Sequence, residues 1–365
     1  MKNNKIEYLD SVRGIASIFV VFSHLSLVYF IYLHNFDASL IPASNYVQEL
    51  VHNSPFGFFY SGSSAVYVFF IMSGIVLSIS ADKNKNSFFV NSVSRYLRLS
   101  IPATASCLFA FIIYYVVNQF GVEKEVNFIN ASINRESINF ISAFWGGAVN
   151  SIFNLKSGNP YNPVLWTMSI EFYCSLLVYL SYKTKKPLLA MFIFIVPLLA
   201  FGFQPLLGGL CFYIGMIIKE FILTLKIKYI GVAFIIFGLY LVGAHNTSVS
   251  YNLFFMIIGD KTYTALNFFG AVFIILGIVM SEVSQRLLSK PILYKLGHIS
   301  FPLYLTHWCV IFLVFNLFNH FGFKYPLVGC LTSIVISIFV ANSFASIDRL
   351  SIKLSSLVKK KNKFA

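Results

Sequence analysis

The feature that most constrains the fold is a run of 23 residues without a charged side chain close to the N-terminus, Gly14–Phe36. A helix of that length can cross the hydrocarbon core of a bilayer, which is about 30 Å thick. The run begins directly after Arg13 and contains His24. It is too long for a cleavable signal peptide and lacks a small-residue cleavage site, so we expect a retained first membrane span.

Apolar segments of similar length follow along the whole chain. Hydrophobic residues make up 58% of the sequence, charged residues 11%, and the mean hydropathy is +0.76, values typical of a polytopic membrane protein. We predict an all-α membrane helix bundle of about ten transmembrane helices. Their approximate limits are 10–33, 57–80, 99–119, 162–182, 187–202, 205–220, 229–246, 263–281, 299–319 and 326–347.

The basic residues predict the orientation of these helices. One alternate set of loops and termini holds 21 of the 27 Lys and Arg residues, the opposite set holds five, and Arg13 lies at the start of the first helix. Positively charged loops stay on the cytoplasmic side, so both termini are predicted to be cytoplasmic. The same loops account for most of the net charge of +14, so no nucleic-acid partner is expected.

The chain is expected to form one transmembrane domain, residues 1–350, followed by a basic cytoplasmic tail, residues 351–365, near anionic headgroups. A long polar stretch, about Gly121–Tyr161, is predicted to face outward, where it could cap a cavity. Five cysteines are scattered through apolar segments without CxxC spacing. They indicate neither a disulfide framework nor a metal site.

The first helix carries a polar stripe. Arg13 and His24 are eleven residues apart, which makes about three helical turns and places them on one face, roughly 16 Å apart. Asp10 and Ser17 fall on the same face. Each residue alone has a structural explanation, since arginines snorkel to the membrane surface and histidines bond neighbouring helices. Together they favour a functional site, because ionisable groups inside a membrane usually mark one.

Two further motifs carry polar groups near the predicted cytoplasmic side. Ser73-Gly74 ends the block FFIMSG and indicates either small-residue helix packing or a ligand contact. Arg95 and Arg98 lie at i and i+3 in RYLRLSIP. Such a pair either faces solvent and lipid phosphate or clamps the phosphates of a nucleotide-bearing substrate.

The fourth and ninth spans also contain polar side chains. Glu171 lies about halfway across the fourth span, in NPVLWTMSIEFYCSLL, which also contains Trp166. A carboxylate at that depth faces a cavity or pairs with a cationic partner, a histidine or an arginine that would hold helices together. Tyr304 and His307 share a stripe with Ser300 on the ninth span. His34, His52, His245 and His320 lie in or beside predicted outward loops and receive no role.

Five of these blocks, in this order, resemble the acyltransferase 3 family of integral-membrane acyltransferases. They are YLDSVRGIASIFVVFSH, FFIMSG, RYLRLSIP, LWTMSIEFYCSLL and ISFPLYLTHW, and FYIGMII resembles a weaker apolar block. The resemblance runs from about residue 7 to residue 308. One departure is Phe172, where many members carry a second polar residue.

The resemblance implies a membrane O-acyltransferase that moves an acyl group, usually acetyl, from acyl-coenzyme A to a hydroxyl of a cell-surface or lipid-linked glycan. Acetyl-coenzyme A would be a co-substrate, and no cofactor or metal is expected. By similarity His24 is the general base, with Glu171 orienting or polarising a histidine or the sugar. Arg13, Arg95 and Arg98 bind the donor, and Asp10, Ser73, Trp166, Tyr304 and His307 line the site. The expected location is the cytoplasmic (inner) membrane of a bacterium.

Other classes of membrane protein remain open. A transporter or flippase for a lipid-linked saccharide would use His24 and Glu171 as a proton relay. An unrelated membrane-bound acyltransferase with a histidine and an asparagine would share the reaction but not the blocks. A purely structural scaffold would not need so many polar groups in its interior. The ordered blocks and the basic pair favour transfer chemistry.

Overall fold

The computed structural model describes residues 7–34, 42–82, 86–120, 138–156, 158–184, 187–222 and 227–361, and these contain no β-strand. Ten long helices lie in these ranges. They are α1 (Glu7–Tyr29), α2 (Gly62–Asp82), α3 (Phe88–Gln119), α4 (Trp166–Thr184), α5 (Pro187–Leu199), α6 (Phe203–Phe221), α7 (Lys228–Val242), α8 (Thr262–Met280), α9 (Pro291–His320) and α10 (Pro326–Lys361).

Each of the ten predicted spans coincides with one of these helices, and the predicted all-α helix bundle is confirmed. Seven helical segments in the described ranges are long and apolar enough to cross a membrane. They correspond to α1, α2, α3, α4, α8, α9 and α10. The crossings of α5, α6 and α7 and the cytoplasmic location of both termini stay predictions.

The chain divides into two compact units. The first comprises residues 1–71 and 220–300, and therefore holds α1, α7, α8 and the initial parts of α2 and α9. The second comprises residues 72–219 and 301–365, with α3 to α6, α10 and the remainder of α2 and α9.

In the first unit, α1 and the start of α9 cross where each has a glycine. A Cβ atom on Gly297 would lie 2.3 Å from the carbonyl oxygen of Asp10, and one on Gly14 would lie 2.8 Å from the backbone nitrogen of Gly297. Both distances are far below van der Waals contact, so only glycine permits this approach. Small residues at helix crossings are the usual route to tight packing in membranes. The crossing fixes the backbone beside Arg13.

In the second unit, α10 packs antiparallel on α3. One face of α10 carries small buried side chains at intervals of four residues: Ser333, Ser337, Ala341 and Ala345. With 36 residues, α10 is about 54 Å long, more than the hydrocarbon core requires. It runs through residue 350, so the predicted start of the tail lies inside a helix.

The polar stretch after α3 folds back along that helix. Residues 121–137 lie outside the described residues, but the chain then forms an α-helix (Phe140–Trp145), a π-helical turn (Gly146–Asn150) and a short helical turn (Ser151–Phe153). Phe140 contacts Phe111 on α3, and Phe153 stacks on Tyr96. From Phe111 to Tyr96 the segment follows α3 for about 22 Å.

The side chain of Asn159 stabilises the return of this segment. Its amide nitrogen donates to the carbonyl oxygen of Gly146 at 2.8 Å, and its Oδ1 accepts from the backbone N–H groups of Tyr161 and Asn162 at 2.9 and 3.1 Å. Buried backbone in an irregular segment must find its hydrogen bonds within the protein. The segment from 138 to 162 is therefore a packed hairpin of the second unit.

Candidate active site

The residues predicted to form the site divide between the two units. The first unit holds Asp10, Arg13 and His24, and the second holds Ser73, Arg95, Arg98, Trp166, Glu171, Tyr304 and His307. Each set is described within its own unit.

In the first unit, α1 is an uninterrupted helix over the predicted polar stripe. The Arg13 and Asp10 side chains approach to 4.0 Å and are about one quarter exposed. His24 is partly buried. Because no irregularity interrupts the helix, Arg13 and His24 share one face about 16 Å apart, as the spacing predicts.

In the second unit, Glu171 of α4 is the centre of a buried polar network. Arg95 of α3 forms an ion pair with its Oε1, and Ser73 of α2 donates to the same oxygen at 2.7 Å. Nε of Arg95 also donates to the hydroxyl of Ser175 at 2.7 Å. The carboxylate therefore has the cationic partner that a charge at this depth requires. The pairing of Glu171 with an arginine, one alternative raised by the sequence, is the arrangement found.

Arg98 lies one turn from Arg95 but pairs with a different carboxylate. Its Nη1 donates to Asp348 of α10 at 2.5 Å and to the hydroxyl of Ser351 at 3.0 Å, and its guanidinium lies 5.1 Å from the ring centroid of Phe301. Asp348 could not be identified from the sequence, because its 250 residues of separation from Arg98 leave no local pattern. Both arginines predicted to bind phosphate are thus ion-paired within the protein.

Tyr304 and His307 are neighbours in the interior of the second unit. Their ring centroids are 6.1 Å apart, and both side chains are buried. The hydroxyl of Tyr304 donates to the carbonyl oxygen of Val164 at 2.8 Å and contacts that of Thr167 at 2.9 Å. Nδ1 of His307 donates to the carbonyl oxygen of Leu303 at 3.0 Å. A carbonyl only accepts, so Nδ1 is the donor in this contact. Trp166 is the first residue of α4.

Close helix packing, one of the two alternatives raised for Ser73-Gly74, is found at Gly74. A Cβ atom on Gly74 would lie 2.3 Å from the carbonyl oxygen of Phe212 on α6. The FFIMSG and FYIGMII blocks therefore meet backbone to backbone. This contact fixes α2 next to Ser73, whose hydroxyl bonds Glu171.

A cluster of histidines in the first unit was not predicted from the sequence. We call His34, His52, His245 and Tyr60 the histidine cluster, and all four are at least 95% buried. The rings of His34 and His245 are 5.5 Å apart, and Tyr60 lies 4.4 Å from His245. Burial lowers the pKa of all three histidines, that of His245 to about 4, so they are neutral at pH 7. The four residues are distant in sequence, so periodicity could not group them.

Among the residues that the structure describes, no group of three His, Cys, Asp or Glu side chains is arranged to hold a metal ion. The contacts of the histidine cluster include hydrogen bonds and ring contacts.

Comparison with known protein families adds one finding. The profile of a family described as an acyltransferase domain, acyltransferase 3, matches residues 6–342, nearly the whole chain. Searches of curated proteins and of solved structures found no match.

Proposed function

The chain belongs to the acyltransferase 3 family and is an integral-membrane acyltransferase, and from that premise we propose that it transfers an acetyl group from acetyl-coenzyme A to a hydroxyl of a cell-surface or lipid-linked glycan. The observation that carries this proposal is the stripe on α1. Within a chain of this family, one membrane helix presents a cation, Arg13, and a titratable base, His24, on one face.

The proposed chemistry is direct transfer. His24 accepts the proton of the acceptor hydroxyl as its oxygen forms a bond to the acetyl carbonyl carbon. The carbon–sulfur bond of the thioester breaks, and the leaving thiolate takes the proton back from His24. An imidazole suits both steps because its ordinary pKa, about 6.5, is close to neutral pH.

Arg13, Arg95 and Arg98 are proposed to bind the donor. Each guanidinium has five N–H donors, and the bonds that Arg95 and Arg98 make to carboxylates and serines engage only some of them. A diphosphate would therefore join or displace an existing partner. Since Glu171 already bonds Arg95, we propose that it holds that guanidinium in place.

The remaining predicted residues are proposed to line the donor and acceptor paths. Asp10 orients Arg13, and Ser73 orients Glu171 through its 2.7 Å hydrogen bond. Trp166, Tyr304 and His307 contribute polar and aromatic groups. The proposed location is the cytoplasmic membrane of a bacterium. The match to the acyltransferase family over residues 6–342 supports transfer chemistry over the transporter alternative.

The experiment that tests the function compares surface polysaccharide from cells that have, lack and regain the gene. Mass spectrometry of the purified polysaccharide should show acetylated sugars that disappear on deletion and return on complementation. Loss of the whole polysaccharide from the surface, with intracellular accumulation, would favour the transporter instead. Unchanged acetylation would overturn the proposed acceptor class.

A further inference from the structure

The histidine cluster contains two buried polar atoms with complementary hydrogen-bonding roles, one an acceptor and the other a donor. Neither Nε2 of His245 nor the hydroxyl of Tyr60 has a hydrogen-bond partner among the residues that the structure describes, and both atoms are fully buried. Nearly all buried polar atoms in proteins are hydrogen-bonded, so an adjacent pair of exceptions calls for a missing partner.

The protonation state of His245 follows from its other nitrogen. Nδ1 lies 3.1 Å from the carbonyl oxygen of Gly243, which can only accept, so Nδ1 carries the proton and Nε2 carries the lone pair. Tyr60 supplies the opposite capability, because a phenol donates readily. The pair therefore offers one acceptor and one donor with its two rings 4.4 Å apart. A single hydroxyl group, which both donates and accepts, satisfies both.

The side chains that surround this pair have hydrogen-bond partners of their own. His52 is fully engaged, since Nδ1 donates to the carbonyl oxygen of Leu33 at 3.1 Å and Nε2 accepts from Thr247 at 3.2 Å. Thr247 has a backbone φ of 66°, a conformation that is rare and strained for a β-branched residue. Tyr263 lies 5.8 Å from His245 and hydrogen-bonds Ser63 at 3.0 Å. Aromatic rings with neutral hydrogen-bonding groups suit a sugar better than an anion.

The histidine cluster also contacts α1, at a residue that follows His24 in the helix. Ser26, two residues after His24, hydrogen-bonds Nε2 of His34 at 2.7 Å, and the His34 ring lies 5.5 Å from that of His245. Arg13 lies toward the opposite end of the same helix. If the donor binds near Arg13, an acceptor approaching His24 from the other end meets the histidine cluster first.

We propose that His245 and Tyr60 form a recognition subsite for a hydroxyl of the acceptor glycan, with the hydroxyl donating to Nε2 of His245 and accepting from the phenol of Tyr60. This inference rests on the proposed function. It assigns acceptor binding, and not proton abstraction, to the pair.

The test measures binding of the surface polysaccharide purified from cells that lack the gene to the purified full-length protein in nanodiscs. Tyr60→Phe removes only the hydroxyl, and His245→Asn keeps a donor for Gly243 but removes the lone pair of Nε2. Tyr263→Phe is the matched control, because it removes a neighbouring phenol that already has a partner. Loss of one hydrogen bond should weaken polysaccharide binding about tenfold in each of the first two variants. The control should bind like the wild type.

Thermal unfolding in the same nanodiscs separates recognition from a structural role. Tyr60→Phe should unfold no lower than the wild type, because the hydroxyl it removes has no partner to lose. Wild-type polysaccharide binding by both Tyr60→Phe and His245→Asn would overturn the inference and assign the pair to a structural water. That result would leave acetyl transfer by the wild type intact. Conversely, pair-dependent binding without acetyl transfer would uphold the subsite and reject the proposed reaction.

Discussion

At the scale of single residues, the central finding is that Arg95 and Arg98 of the second unit are each paired with a carboxylate of the same unit. Arg95 with Glu171 and Arg98 with Asp348 are ion pairs whose side chains are between 12% and 26% exposed. Breaking such a pair on one side is costly, because it leaves the other charge without compensation. Replacing one arginine therefore disturbs the structure as well as any contact with the acyl donor, and low activity of a single variant does not separate the two effects.

We predict that Arg95→Gln destabilises the protein by about 3 kcal/mol, because Glu171 loses its cationic partner. The double variant Arg95→Gln/Glu171→Gln should recover most of that loss, since a neutral amide replaces the orphaned carboxylate. Thermal unfolding in detergent measures both. If the double variant were as unstable as the sum of the single variants, the two residues would not be coupled.

The double variant also tests donor binding. If Arg95 binds the phosphates of the donor as proposed, the double variant should still show a raised KM for acetyl-coenzyme A. The change in its kcat should be smaller than the change in KM. Wild-type KM in that variant would assign Arg95 to structure alone.

The histidine cluster predicts a dependence of stability on pH. Burial lowers the folded-state pKa of His34, His52 and His245, whereas an unfolded histidine titrates at about 6.5. Below that pH the unfolded chain binds protons that the folded chain does not, so stability falls as pH falls from about 6.5. For His245 the loss levels off near its folded pKa of about 4.

The magnitude is at most about 1.4 kcal/mol per pH unit for each histidine. Unfolding temperatures between pH 7.5 and pH 4.5 measure it, and His245→Asn, which cannot titrate, should lose less stability over that range. Equal losses in this variant and the wild type would show that His245 contributes nothing to the pH dependence.

At the scale of helices, the glycine crossing explains why Arg13 and the start of α9 belong to one unit. Gly297→Ala should destabilise the protein strongly, because its Cβ atom would lie 2.3 Å from the backbone oxygen of Asp10, and backbone cannot yield as a flexible side chain can. Gly158→Ala is the matched control, since nothing lies within 4 Å of its Cβ position. The unfolding temperatures of the two variants measure this difference in stability. A tolerant Gly297→Ala protein would contradict the observed crossing.

The positions of the helices were predictable from the sequence, and their side-chain partners were not. Uncharged runs of about 20 residues are a local signal, and each of the ten matched a helix. The hairpin from 138 to 162 was missed because its apolar helices are too short to span and its asparagines resemble loop residues. The partners of Arg95, Arg98 and His245 lie far away in sequence, where only the fold brings them near.

At the scale of the whole molecule, the distribution of basic residues predicts ten crossings with both termini in the cytoplasm. A cysteine replacing Lys83, which lies outside the described residues, should react with a membrane-impermeant reagent only after the cells are opened. A cysteine in the 121–137 segment should react in intact cells. Labelling of the Lys83 position from outside would reverse the topology and the proposed side of donor entry.

The mechanism proposed for the whole molecule depends most on His24. His24→Gln keeps hydrogen-bonding capacity but cannot accept a proton near neutral pH, so it separates a base from a helix-linking residue. Loss of a positioned general base costs about 10² to 10⁴ in rate. The measurement is the rate of acetyl transfer to the purified polysaccharide by His24→Gln protein in nanodiscs, with unfolding temperature as the control for folding. We predict a folded protein with transfer reduced by at least about a hundredfold; a near wild-type rate would contradict the proposed mechanism.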